Sequence, residues 1–252
     1  MLFPSAPARP LVGAHRGASA EAPENTFAAF DRAIDDHADL LEFDVHATAD
    51  GRLVVHHDPT LERTAGSAVW LANLTRAQLD QYDVGAWRGS QFRGQRVPAL
   101  EEVLARYGHR VFLNIEIKTG QGRYPLIEPI VVDLIRHAGL LDRVVVSSFD
   151  RDTLRTLRQV EPWLRVGVLA EEQPREAVIY ACDLGAVSAH LHSPSITAGV
   201  MEHAHAAGLA VVAWTVDDPE EMARLAGLGV DAILSNAPAR LASLLQPPGP
   251  SA

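Results

Sequence analysis

The strongest constraint in this chain is a rhythm. Eight short β-rich runs alternate with stretches of helical spacing: Leu11–His15, Leu40–His46, Val111–Ile117, Val144–Ser148, Arg165–Leu169, Ala186–His190, Ala210–Trp214 and Ala232–Leu234. Helical patterns lie at Asn25–His37, Pro125–Ala138, Arg151–Val160, Pro174–Cys182, Ser195–Ala207, Pro219–Leu228 and Pro238–Leu245. In the first of these, Phe27, Phe30 and Ile34 stand at helical spacing behind Asn25 as N-cap. Pro125, Pro174, Pro219 and Pro238 sit where a first-turn proline is tolerated. Eight strand–helix units point to a closed (β/α)8 TIM barrel more than to an open sheet. The length, 252 residues, is ordinary for one such barrel, and a 47% apolar composition can fill its core.

One stretch breaks the rhythm. Residues 47–110 are too long for a single loop and helix. They open with Asp50-Gly51, a hairpin signal, and close with a helical pattern near Leu100–Tyr107. Residues 59–98 therefore read as a small insertion after the second strand, lying over the barrel mouth, where long excursions are often functional. The whole is a single domain over 10–246, with residues 1–9 and 247–252 as flexible ends.

Charge and cysteine content narrow the class. A formal charge of −10 argues against general binding of nucleic acid or anionic membrane, but a cleft with a metal and a few cations can still take a small phosphate diester. The single cysteine, Cys182, cannot form an internal disulfide. It reads as a small buried apolar residue on a helix rather than as a thiol nucleophile. No segment approaches the ~20 apolar residues of a membrane span, and the N-terminal stretch lacks the apolar core of a signal peptide. The expectation is a soluble, cytoplasmic protein without stable membrane association.

In a barrel the reacting groups come from the C-terminal ends of the strands. The first strand delivers His15-Arg16-Gly17: a proton shuttle, a phosphate-binding cation and a turn. The second delivers Glu42-Phe43-Asp44, whose carboxylates face one side because strand side chains alternate. Two packed carboxylates repel and lose solvation unless a cation lies between them, so a divalent ion with oxygen ligands is the natural resolution. The third carries Asn114, Glu116 and Lys118 on one face. A plain Glu116–Lys118 pair would only stabilise the strand. The sharper reading makes Glu116 a third ligand and Lys118 a phosphate or leaving-oxygen contact. With His56-His57-Asp58, the set suits acid–base catalysis beside a bound phosphoryl group. His203 and His205 point ~200° apart on a helix and make a poor ligand pair. His190 and His192 read as solvated loop residues at the end of the sixth strand. Trp214 and Phe149 are either core packing or an apolar wall for the substrate's glycerol or alcohol.

The ordered series His15-Arg16-Gly17, Pro23-Glu24-Asn25-Thr26, Glu42-Phe43-Asp44-Val45, Asp50-Gly51, Val54-Val55-His56-His57-Asp58, Leu61-Glu62-Arg63-Thr64, Asn114-Ile115-Glu116-Ile117-Lys118, Ser147-Ser148-Phe149 and Ala213-Trp214-Thr215-Val216 resembles the glycerophosphodiester phosphodiesterase family over about residues 11–240. The resemblance implies a barrel with a small insertion after the second strand and an acid–base pair of His15 and His57. It implies one divalent ion, Mg²⁺ or Ca²⁺, on Glu42, Asp44 and Glu116, with Arg16 and Lys118 on phosphate. The implied reaction releases glycerol 3-phosphate and an alcohol from a small-molecule glycerophosphodiester. Two alternatives are phospholipase D-like hydrolysis of lysophospholipids, for which no long exposed apolar segment is evident, and a non-enzymatic phospho-ligand barrel, which would not need the whole set. The sequence departs from the family's pattern at Ala65, in place of a second threonine, and at Leu234-Ser235-Asn236, where many relatives have Thr-Asp. The second departure is expected at the far rim, away from the metal site.

The hairpin register separates His57 from His56. With Asp50-Gly51 as a two-residue loop, Ala49 opposes Arg52, Val45 opposes His56 and Asp44 opposes His57. That pairing delivers His57 beside Asp44 and turns His56 to the opposite face.

Overall fold

The computed structural model describes residues 9–119 and 124–245. The chain runs β1 (Leu11–His15), α1 (Phe27–Asp35), β2 (Leu40–Ala47), β3 (Leu53–Val55), β4 (Thr60–Leu61), α2 (Glu62–Ala65), β5 (Ser67–Trp70), α3 (Arg76–Leu79) and α4 (Leu100–Tyr107). It continues through β6 (Phe112–Ile117), α5 (Ile127–His137), β7 (Val144–Ser148), α6 (Arg151–Val160), β8 (Arg165–Ala170) and α7 (Pro174–Leu184). It ends with β9 (Ser188–His192), α8 (Ala198–Ala206), β10 (Ala210–Trp214), α9 (Pro219–Leu228), β11 (Ala232–Ser235) and α10 (Pro238–Leu245). Strands β1, β2 and β6 to β11 pair in parallel around a ring that β1 closes by pairing with both β11 and β2. This is an eight-stranded (β/α)8 barrel.

The barrel has two apolar faces. Inside its lower part, Leu11, Leu40, Val145, Ala210, Val212, Ala232 and Leu234 form one buried cluster. The alternate residues, among them Val12, Leu41, Phe43, Leu113, Ile115, Val146 and Val211, pack outward against the helices. Above the inner cluster the barrel turns polar. Ser147 Oγ donates to Asn114 Oδ1 at 2.9 Å, and Ser188 Oγ lies 2.9 Å from His190 Nε2. His190 is fully buried here, not a solvated loop residue; β9 runs two residues past the expected end. A Cβ at Gly167 would stand 2.3 Å from His190 Nε2, so only glycine leaves the ring room.

Several local expectations are corrected. The N-cap of α1 is Thr26, whose side chain accepts from Ala29 N, while the Asn25 side chain is spent on Asp44. Pro125 lies outside α5, which begins at Ile127 after Leu126 in a left-handed conformation. Cys182 lies on α7 but is exposed, because the helix turns Ala177, Val178 and Ala181 inward instead. Arg9, counted with the loose N-terminal end, is tied to Asp39 at 2.6 Å. The remaining end residues, 1–8 and 246–252, lie outside the described residues.

Between β2 and β6 the chain builds a small layer with its own core of Val54, Leu61, Leu71, Leu74, Leu79, Val84 and Val97. It hangs on β3, which pairs antiparallel with β2: Val45 opposes Val55, His46 opposes Val54 and Ala47 opposes Leu53. This is one residue out of step with the expected register. Thr48 N donates to Arg52 O at 2.9 Å, so the loop holds three residues, Ala49, Asp50 and Gly51. Gly51 takes the left-handed conformation (φ 74°) that closes a three-residue hairpin loop. Thr48 Oγ1 and Asp50 Oδ1, 2.6 Å apart, fix that turn.

Candidate active site

The proposed ligands converge at the upper end of the barrel. Glu42 and Asp44 on β2 and Glu116 on β6 are all buried, and each offers an oxygen within 4.8 Å of the others. The pairing of β2 with β6 sets Asp44 opposite Glu116 and Glu42 opposite Asn114. Strand alternation thus aims the three carboxylates into one space.

Two cations answer them. Lys118 Nζ lies 2.9 Å from Asp44 Oδ1 and 2.5 Å from Glu116 Oε1, and Arg16 Nε lies 3.4 Å from Asp44 Oδ2. Burial opposes the charge on Asp44, but Lys118 and Arg16 outweigh it and hold this carboxyl below its usual range. Glu42 is less well served. Burial first, then Asp44 and Glu116, push it well above the ordinary carboxyl value. Burial likewise lifts Glu116 to about 7 against the pull of Lys118. Among the described residues, three carboxylates are faced by two cations, one of them also shared with Glu24 at 3.0 Å, which leaves negative charge uncompensated. An oxygen-liganded divalent cation fits that donor set.

Two histidines line the same cleft as Glu42 and Glu116 of the triad. His15 Nε2 lies 4.0 Å from Glu42 Oε2, and its Nδ1 lies 2.8 Å from Asn236 Oδ1. Burial, helped by Arg16, pushes His15 down to about 4. His57 Nδ1 lies 2.7 Å from Asp58 Oδ1. Burial lowers His57 as well, although Asp44 opposes the shift. The His57 ring lines the cleft with Glu116 and Lys118. The His56 ring turns into the small layer, with Nδ1 2.8 Å from Asp58 O and Nε2 2.9 Å from Thr64 Oγ1. The two rings stand where they were expected, but the register that was to place them there is not the one observed. In the observed register the residue facing Asp44 is His56, whose N–H donates to Asp44 O at 3.0 Å. The ladder ends at Val55, so strict alternation no longer governs the residues beyond it. His46, on β2, holds the turned chain: its Nε2 donates to His57 O at 2.9 Å, and Tyr124 Oη lies 2.7 Å from its Nδ1.

The cleft has two connected lobes that share His57, Glu116, Lys118 and Phe149. One, about 220 Å³, reaches His15, Arg16, Glu42, Glu171 and Trp214. The other, about 310 Å³, reaches His46, Pro59, Trp70 and Thr119. Trp214 and Phe149 meet edge-to-face with centroids 5.6 Å apart, and Phe149 is half exposed at the mouth. Both expected aromatic residues therefore line the cleft. His192 is half-buried against Trp214, with centroids 5.5 Å apart, and His205 is paired with Asp231 on the outer surface.

Sequence reasoning missed several supporting groups. Asn25 Nδ2 donates to Asp44 Oδ2 at 2.8 Å, and Arg63 binds both Glu24 and Asp58 at 2.7 Å, joining the small layer to the rim of the cleft. All four stand inside the motifs quoted above, which was the available signal. Asn236 was assigned to a far rim; it is bonded to His15, because β11 pairs directly with β1.

Known proteins match this chain in sequence and in fold. The model of the "Glycerophosphoryl diester phosphodiesterase family" matches residues 15–240. A glycerophosphodiester phosphodiesterase of Caldanaerobacter subterraneus subsp. tengcongensis is 38% identical over 240 residues, covering 95% of this chain and 99% of that one. Among solved structures, an Oleispira antarctica phosphodiesterase in complex with the product sn-glycerol-3-phosphate superposes with TM-score 0.85 at 29% identity, covering 94% of this chain and 96% of that one. The Agrobacterium tumefaciens glycerophosphodiester phosphodiesterase gives TM-score 0.81 at 29% identity over 92% and 98%. A shared barrel, a match across nearly the whole chain and a buried carboxylate cluster at the strand ends lead to one conclusion: this chain belongs to the glycerophosphoryl diester phosphodiesterase family.

Proposed function

We propose that the protein hydrolyses small glycerophosphodiesters to glycerol 3-phosphate and an alcohol in the cytoplasm, using one divalent ion, Mg²⁺ or Ca²⁺, and a pair of histidines. The observation that supports the reading is a cleft lined by Glu42 and Glu116 of a buried carboxylate triad together with two imidazoles, His15 and His57. Each is held through Nδ1 by a side chain, Asn236 or Asp58.

Glu42, Asp44 and Glu116 would hold the ion, which when bound supplies positive charge to a phosphate oxygen. Arg16 and Lys118 contact the phosphoryl group and offset the charge that builds in the transition state. Burial does not neutralise these two groups: the neighbouring carboxylates keep Arg16 and Lys118 firmly cationic. His15, bonded to a neutral amide, takes the proton from the attacking hydroxyl, which comes from water or from the substrate's own glycerol. His57, held through Nδ1 by Asp58, gives a proton to the leaving alkoxide. Trp214 and Phe149 wall the glycerol side of the cleft.

The test is turnover by purified protein on glycerophosphocholine, glycerophosphoethanolamine and a long-chain lysophospholipid, with Mg²⁺, with Ca²⁺ and with chelator. The expected result is metal-dependent release of glycerol 3-phosphate from the two short diesters. Preference for the lysophospholipid would refute the substrate class.

A further inference from the structure

We infer that Asn236, oriented by Asp217, is a positioning residue that fixes His15 as the Nδ1–H tautomer and turns its Nε2 lone pair into the cleft. The inference deepens the reading of His15 as a proton acceptor and rests on it.

Asn236 follows β11 and lies between two groups. On one side its Oδ1 is 2.8 Å from His15 Nδ1. On the other, its Nδ2 donates to Asp217 Oδ2 at 2.6 Å and its backbone N–H donates to Asp217 Oδ1 at 2.8 Å. Ser235 Oγ donates to the same Oδ1 at 2.9 Å.

The partners decide which end of the amide is which. A carboxylate only accepts, so the end of Asn236 that faces Asp217 is the NH₂. The end facing His15 is then the carbonyl, which also only accepts. His15 Nδ1 must therefore carry the proton, and Nε2, on the side of Glu42, keeps its lone pair. Two hydroxyls nearby do not compete. Thr215 Oγ1 stands 3.5 Å from both ring nitrogens, too far for a strong bond to either. Ser19 Oγ is 2.8 Å from both Asn236 Oδ1 and His15 O, and its one proton satisfies either carbonyl. A flipped amide would instead set two acceptors 2.6 Å apart at Asp217. Asp217 cannot reorient to relieve that, because the backbone N–H of Asn236 pins its Oδ1.

The same geometry supplies an isosteric test. In Asp217→Asn, the new amide must keep its oxygen on the backbone N–H of Asn236, so its NH₂ confronts the Asn236 NH₂. Asn236 then turns over and presents a donor to His15 Nδ1, which leaves the proton on Nε2. In Asp217→Asn/Asn236→Asp every hydrogen bond is remade, with only the polarity of the bond between side chains 217 and 236 reversed. The amide introduced at position 217 donates to the carboxylate introduced at position 236, and that carboxylate accepts from His15 Nδ1–H.

The experiment is ¹⁵N NMR of histidine-labelled protein with Mg²⁺ near pH 8, where imidazoles are neutral. The His15 signals are assigned with His15→Gln, and kcat and KM are measured on glycerophosphocholine. The wild type is expected as Nδ1–H, and Asp217→Asn as Nε2–H with kcat lower by about 10²-fold and KM little changed. The double variant is expected to return both tautomer and most of kcat. A wild-type Nε2–H signal overturns the inference. So does an Asp217→Asn protein that keeps Nδ1–H, whether or not its activity falls, or a double variant that regains neither. The tautomer is read without turnover, so failure of the proposed activity is distinguishable from failure of this inference.

Discussion

Replacing Glu42 by Gln should stabilise the metal-free protein and at the same time cripple it. Glu42 is buried among Asp44 and Glu116, and its pKa is raised well above the ordinary 4.5. The sign follows from linkage. An acid whose folded pKa is raised binds more protons folded than unfolded once the pH exceeds the unfolded value, so folding stability falls as the pH rises. The loss begins near pH 4.5 and continues up to the raised value, at ~1.4 kcal/mol per pH unit. For a chain of this length each such pH unit corresponds to roughly 3–6 °C in Tm. Glutamine keeps an acceptor for Arg16 N–H, which donates to Glu42 Oε2 at 3.0 Å, and carries no charge. In chelator near pH 6.5, Glu42→Gln should therefore melt several degrees above wild type, with the gap closing near pH 4.5. Adding saturating Mg²⁺ or Ca²⁺ should raise the wild type by about 3 kcal/mol at a hundredfold excess over Kd and the variant far less. Calorimetry with and without metal at three pH values, together with turnover, checks both halves. A variant with unchanged or lower Tm at every pH and the wild-type response to metal would refute the reasoning.

Four further outcomes are expected. Chelation should abolish turnover of glycerophosphocholine, with Mg²⁺ or Ca²⁺ restoring it; full activity in stripped protein would remove the triad from the mechanism. His57→Ala should lower kcat by about 10²–10⁴-fold with little change in Tm. His56→Ala should keep most of kcat but lose ~1–3 kcal/mol of stability, since both ring nitrogens are bonded in a buried site, and equal kcat losses would contradict the assignment. Burial alone depresses the His190 pKa to about 3. The unfolded chain then takes up the proton first as pH falls below about 6.5, so this contribution to stability is complete above that pH and is lost toward the folded value. Urea unfolding should show wild type losing ~2 kcal/mol more than His190→Gln between about pH 6.5 and pH 5, and parallel curves would show that the ring is not held neutral.

The strands, the acidic pattern on them and the family were legible in the order of residues alone. Alternation is a local property: a strand that contains Glu42-Phe43-Asp44 must put both carboxylates on one side, whatever surrounds it. Apolar periodicity likewise located α6, α9 and α10 residue for residue. Other features waited on the folded chain, at points where local rules give out. The hairpin register turned on one hydrogen bond, Thr48 N to Arg52 O, and on whether Gly51 closes a loop of two residues or three. Asn25 could cap a helix or bind Asp44, and the closeness of β2 settled it for Asp44. His190 could not be recognised as a core residue without knowing that β8 offers it Gly167. Asn236 lies 221 positions from His15, and only closure of the ring, which pairs the last strand with the first, brings that amide onto the imidazole. Side-chain direction along one strand is fixed by short-range sterics. Contact between strands is fixed by register and closure, which depend on the packing of the entire barrel.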